Sequence, residues 1–88
     1  MNTIFKALAD PKRRQICKIL QQGDKSVSEL QTNFSTTQEA LSHHLKILKS
    51  ANIVSNRREG QFIYYSLNSP VFEDVMNYIL SLYYKHKE

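Results

Sequence analysis

At 88 residues, with 41% hydrophobic side chains, the chain can build one modest core but not a core plus an elaborate enzyme cleft, so a single domain over residues 1–88 is expected. Twelve Lys+Arg against eight Asp+Glu give +4 with histidines neutral, and no apolar run approaches the roughly 20 residues of a membrane span, which argues against stable membrane insertion. With no charged-then-apolar leader and with Cys17 alone, the expectation is a cytoplasmic protein without an intrachain disulfide, a thiolate zinc site or CxxC chemistry.

In chain order, Ile4, Phe5 and Leu8 form the apolar stripe of a short first helix. Asp10-Pro11 reads as an N-cap followed by proline at the first helical position. Ile16, Ile19 and Leu20 supply the inner face of this second helix, and Gly23 fits a left-handed cap at its end. Ser26-Val27-Ser28-Glu29 spells a capping box that opens a third helix with Val27, Leu30 and Phe34 inside. A fourth helix runs from near Thr36 to about Ser50, and Asn52 is placed to turn left-handed after it.

There the period changes from helical to alternating. Residues 53–58 and 61–66 are rich in β-branched and aromatic side chains and flank Glu59-Gly60, which predicts a hairpin with a basic tip. Ser69-Pro70 then caps a last helix, with Glu73 and Asp74 assigned to its first turn. The order helix, helix, helix, helix, β-hairpin, helix is that of a mainly α winged helix-turn-helix domain, in which the fourth helix enters a DNA major groove.

On that fourth helix Leu41, Leu45 and Leu48 must face the core, which turns Gln38, Glu39, Ser42, His43 and Lys46 outward together. Glutamine bonds adenine bidentately, serine and histidine reach base edges, and lysine reaches guanine or phosphate, so the row suits base readout. Glu39 has two readings, a base contact or the carboxylate of a Thr36-Thr37-Gln38-Glu39 capping box. His44, beside the leucines, is read as a structural imidazole. Because neighbours on a helix point about 100° apart, the His43-His44 pair is two separate histidines and not a metal grip.

Phosphate contacts are expected from Arg57, Arg58 and Gln61 around the hairpin turn, from Ser28 and Lys25 at the start of the third helix, and from Thr37. Lys12, Arg13 and Arg14 could equally be a solvated first turn, a partner for Asp10, or DNA contacts. The charge is uneven: residues 1–68 hold ten basic against five acidic side chains, whereas 69–88 hold two against three. A basic body suits a polyanion, and a near-neutral aromatic end suits a protein.

In order and spacing, DPKRRQICKIL, SVSEL, ALSHHLKILKSANIV and REGQFIYYSL resemble the ArsR/SmtB family of bacterial winged-helix repressors, and most of all its compact SdpR-type autorepressors. The resemblance implies a homodimer joined through the first and last helices, with one reading helix per half-site of an inverted-repeat operator on double-stranded DNA. It also implies autoregulation. The last helix is apolar over more of its circumference than one small core can cover, which agrees; Ile4, Phe5, Leu8, Phe72, Met76, Ile79, Leu80 and Tyr83 are the expected interface.

Metal-sensing relatives carry cysteines in the third helix, where this chain has Ser28-Glu29-Leu30-Gln31, and Asp and His pairs in the last, where it has Asp74 and a late His86. No metal and no other cofactor is therefore expected. Cys17 reads as a buried structural thiol, and no enzyme is expected. Two alternatives stay open: control by a metal or ligand at a site not evident in the sequence, and capture of the dimer by a sequestering protein.

Overall fold

A computed structural model describes residues 1–84. Helix α1 (Asn2–Leu8) leads directly into α2 (Pro11–Leu20), whose N-cap Asp10 accepts from the backbone N–H groups of Lys12 at 2.8 Å and Arg13 at 3.3 Å. Pro11 follows at the first helical position, where its missing N–H costs nothing. At the other end the expectation needs adjusting. The C-cap is Gln21 in a right-handed conformation, and the positive φ of +143° falls on Gly23, two residues later.

A short strand β1 (Lys25–Ser26) precedes α3 (Val27–Gln31), which opens on the complete capping box: Ser26 Oγ accepts from Glu29 N–H at 3.2 Å, and the Glu29 carboxylate accepts from Ser26 N–H at 2.9 Å. Helix α4 (Gln38–Ser50) is capped by Thr37, not Thr36. Thr37 Oγ1 accepts from Ala40 N–H at 3.1 Å, and because alanine occupies the third helical position the box that would tie Glu39 back to the cap does not form. Asn52 ends α4 as predicted, at φ +60°, with its N–H and that of Ile53 donating to the carbonyls of Lys49 and Leu48 at 2.9 and 3.0 Å.

The hairpin consists of β2 (Val54–Glu59) and β3 (Phe62–Leu67), and its register pairs Glu59 with Phe62. The two-residue turn is therefore Gly60-Gln61, one position later than Glu59-Gly60. Of these two only Gly60 has a positive φ, +62°, the sign pattern of a type II′ turn. β1 adds to the free edge of β3, pairing Lys25 with Tyr65, so the sheet has three antiparallel strands in the order β1-β3-β2. Two residues are too few for any periodicity, which is why this strand has no sequence signature.

Helix α5 (Ser69–Tyr83) starts one residue earlier than predicted, with Asn68 in the cap position and Pro70 in the first turn. Asn68 does not cap with its side chain; its Nδ2 donates instead to the Asn52 carbonyl at 2.7 Å and its N–H to that of Ile53 at 2.9 Å, pinning the start of α5 to the end of α4. Glu73 and Asp74 consequently lie beyond the first turn.

Ala7, Ile16, Leu30, Leu41, Leu45, Leu48, Ile53 and Val54 are fully buried, so α1 to α4 and the root of the wing share one core. Val75 is the buried residue of α5, and every residue from Met76 to Tyr84 is exposed. Extents of 52 × 23 × 20 Å fit a small body with one helix leaving it.

Candidate nucleic-acid interface

Anchoring sets the face that α4 presents. Leu41, Leu45 and Leu48 recur at spacings of four and three and are at most 1% exposed, so the helix can sit in only one rotation about its axis. Gln38, Glu39, Ser42, His43 and Lys46 are all exposed as that rotation requires, and Thr37 lies exposed at the helix start. Glu39, free of a capping box, belongs to this outward row.

Gln38 and Ser42 line a groove of about 330 Å³ together with Ser28 of α3 and Gln61, Phe62 and Ile63 of the wing. The structure thus brings residues expected to read bases together with two expected to touch phosphate. Phe62 and Ile63 are 47% and 39% exposed. They were legible as strand residues but not as part of this surface, because only the register of the hairpin brings them to the groove. A neighbouring groove is lined by Ser28, Gln31 and Gln38, and Gln31 Nε2 donates to the Thr36 carbonyl at 2.6 Å, fixing the turn between α3 and α4.

The two histidines part as expected. His43 is exposed, while His44 is half-buried with its Nδ1 3.2 Å from Arg13 Nη1. Arginine has no acceptor, so Nδ1 must accept and the ring proton must sit on Nε2. Burial is the main influence holding the His44 pKa below its ordinary value; Asp10 opposes it, and Arg13, His43 and Lys12 add to it. Arg13 also donates through Nε to the Ala7 carbonyl at 2.7 Å, and Arg14 donates to that of Leu8 at 2.8 Å. Both arginines therefore close the C-terminal end of α1, where carbonyls lack helical partners and positive charge suits the dipole. Lys12 stays exposed.

At the wing the arginines divide. Arg58 is exposed, with Nε donating to the Gly60 carbonyl at 3.3 Å. Arg57 donates through Nη1 to Asp24 and through Nε to Glu59, both at 2.6 Å, with Ser66 Oγ at 3.3 Å and the guanidinium carbon 5.2 Å from the Tyr64 ring centre. The hydrogen bond from Arg57, and a lesser one from Ser66, hold the Asp24 carboxyl below its usual range despite slight desolvation. Lys25 is half-buried beside this cluster in β1, and Ser28 is exposed in the first turn of α3.

Among the expected interface residues Ile4, Leu8 and Phe72 are half-buried, whereas Phe5, Met76, Ile79, Leu80 and Tyr83 are 38%, 55%, 52%, 39% and 75% exposed. Phe5 and Tyr78 have ring centres 6.2 Å apart, which makes α1 and α5 parts of one apolar surface. Cys17 is buried, and desolvation pushes its thiol up to about 11. Among the described residues no cluster of three or more His, Cys, Asp or Glu could hold a metal ion. His86 lies outside them.

Residues 10–56 match the sequence profile of the bacterial regulatory proteins of the arsR family. The transcriptional repressor SdpR of Bacillus subtilis (strain 168) is 46% identical over 81 residues, covering 92% of this chain and 90% of that protein. An arsenical resistance operon repressor of the same organism is 38% identical, covering 94% of this chain and 80% of its own length. The crystal structure of an ArsR family transcriptional regulator superposes with a TM-score of 0.87 at 25% identity, over 99% of this chain and 92% of the other.

Proposed function

Because the chain belongs to the arsR family of bacterial regulatory proteins and is a DNA-binding transcriptional repressor, we propose that it acts as a homodimer that occupies an inverted-repeat operator, with one α4 in each of two successive major grooves. The observation that carries this reading is the rotation of α4: three buried leucines leave Gln38, Glu39, Ser42, His43 and Lys46 as one exposed polar row. Such a row carries both donors and acceptors, which base edges require. Arg58, Gln61, Lys25, Ser28 and Thr37 surround it and supply backbone contacts, which fix register without reading sequence.

Dimerisation follows from α5. An isolated protomer would leave Met76, Ile79, Leu80, Leu82 and Tyr83 in water along one helix, an apolar run of the kind that marks a protein contact. A second copy meeting it through α1 and α5 covers both patches at once and gives the two-fold axis that a pseudo-palindromic operator mirrors, with half-sites roughly 34 Å apart. Repression then needs no chemistry beyond occupancy, a non-enzymatic role carried out in the cytoplasm with the DNA. The donor set of α3, which offers Ser28, Glu29 and Gln31 and no thiolate, does not suit a soft metal, so control is not by a thiolate-bound metal. Autoregulation is the simplest target assignment, carried over from the SdpR-type likeness.

Selection of bound sequences from a random duplex pool tests the reading. The enriched sequences should converge on an inverted repeat with half-sites one DNA turn apart. Enrichment without symmetry, or none at low ionic strength, contradicts it.

A further inference from the structure

Arg57 looks from the sequence like one of a pair of wing cations, but two of the three nitrogens of its guanidinium, Nε and Nη1, are already engaged. Two carboxylates take its Nη1 and Nε at 2.6 Å, Ser66 lies within 3.3 Å of Nη1, and the plane sits against Tyr64. The partners come from different places. Glu59 and Ser66 belong to β2 and β3, whereas Asp24 lies in the segment that follows Gly23 and leads through β1 into α3. One side chain therefore ties the hairpin to the start of the helix-turn-helix.

We propose that Arg57 is a positioning residue that fixes the angle of the wing against α3 and α4, while Arg58 is the wing arginine that meets the phosphate backbone. The proposal rests on the DNA-binding reading above and divides labour within it. A phosphate that approached the remaining nitrogen, Nη2, would meet the Asp24 and Glu59 carboxylates already held on the same guanidinium, which repel a polyanion, and taking Nη1 or Nε would mean displacing charge-assisted hydrogen bonds. Arg58 has no such commitment: it makes one weak contact to a carbonyl at 3.3 Å and sits next to the turn. With the brace closed, Gln61, Phe62 and Ile63 stay against the groove they share with Gln38 and Ser42. With it open, β1 still holds β3 at Tyr64 and Tyr65, but the tip beyond them loses its side-chain tie and the wing contacts drift out of register with those of α4.

The two roles differ in salt dependence, because only a phosphate contact releases counterions. Affinities of the intact dimer for its selected operator and for a random duplex, measured across salt concentrations, separate them. Arg58→Gln should lower the slope of log affinity against log salt by about 0.9 per protomer. Arg57→Gln should leave the slope unchanged while the specific-to-random ratio falls several-fold. Asp24→Ala is the sharper arm. If Arg57 is a brace, losing its partner lowers the ratio; if Arg57 is a phosphate ligand, freeing it tightens both duplexes together with the ratio unchanged. The charge-swapped Asp24→Arg with Arg57→Asp should restore the ratio, which a loss of general stability would not allow.

A DNA-free arm distinguishes failure of this proposal from failure of the DNA reading. In protein alone, Arg57→Gln and Asp24→Ala should each speed amide exchange in Phe62–Tyr64 without affecting Leu45 or Leu48. Unchanged exchange in the hairpin, or a salt slope lowered by Arg57→Gln as much as by Arg58→Gln, overturns the assignment. A wild-type protein that binds no duplex sinks the parent reading, while the exchange result still decides the brace.

Discussion

Arg13 donates to Nδ1 of His44 at 3.2 Å while its Nε holds the Ala7 carbonyl at 2.7 Å, so one guanidinium joins the end of α1 to α4. The bond needs a neutral imidazole, since a protonated ring has no acceptor and would set two cations against each other. Four other titratable or charged groups bear on the ring: Asp10 favours its protonation, and Arg13, His43 and Lys12 oppose it.

This gives a pH dependence of defined sign. The folded-state pKa of His44 lies below the ordinary 6.5, mainly through desolvation, so between the two values the unfolded chain binds more protons. Its contribution to stability is complete above pH 6.5 and is lost as pH falls through the lowered folded value. Chemical denaturation at fixed protein concentration, run from pH 7.5 to 5, should show stability falling with acid by more in the wild type than in His44→Gln. Equal slopes would remove His44 from the account.

The buried leucines of α4 set which of its faces is exposed. Leu45→Ala removes a fully buried side chain and should destabilise the protein by about 2–5 kcal/mol. Its companion Lys46→Ala, exposed on the opposite face, should change stability by less than about 0.5 kcal/mol. Thermal midpoints should be compared at one protomer concentration, because the midpoint of the proposed dimer would depend on concentration. A Leu45 variant as stable as the wild type would mean the helix is turned otherwise.

Helix α5 should carry the subunit contact. Ile79→Asp puts a charge in the middle of the exposed apolar face and has little to disturb within the protomer, where Ile79 is 52% exposed. Sedimentation should show monomers at concentrations where the wild type is dimeric, and operator affinity should collapse with them. A dimer that persists unaltered would place the interface elsewhere.

Cys17 should be inert. With its pKa raised to about 11 by burial, the thiolate fraction at neutral pH is very small and access is poor. Iodoacetamide should label it only under denaturing conditions, and rapid labelling of the native protein would contradict a buried structural role.

Much of this architecture is legible in the sequence because its signals are local. Asp10-Pro11, the Ser26–Glu29 box and Asn52 each act through bonds to residues a few positions away, and each appears as read. The leucine period of α4 likewise fixes which face is outward without reference to anything distant. What escapes is non-local. Neither the pairing of Lys25 with Tyr65 nor the reach of Arg57 across 33 positions to Asp24 leaves a trace in spacing. The one-residue shifts at Thr37, Gly60-Gln61 and Asn68 arise where two adjacent residues could each serve and tertiary contacts choose between them. For the interface, residue type and helical phase named the candidates, but only the fold places Ser28, Gln38 and Gln61 around one groove.

The central claim is that the outward row of α4 reads base identity. Its most direct measurement is the ratio of affinities for the selected operator and a random duplex, compared between wild type and the triple variant Gln38→Ala, Ser42→Ala, His43→Ala. All three side chains are exposed, so the variant should fold normally. The account predicts that the ratio collapses toward unity while random-duplex affinity and its salt dependence stay close to wild type. A ratio left at the wild-type value would show that sequence is read by some other part of the protein.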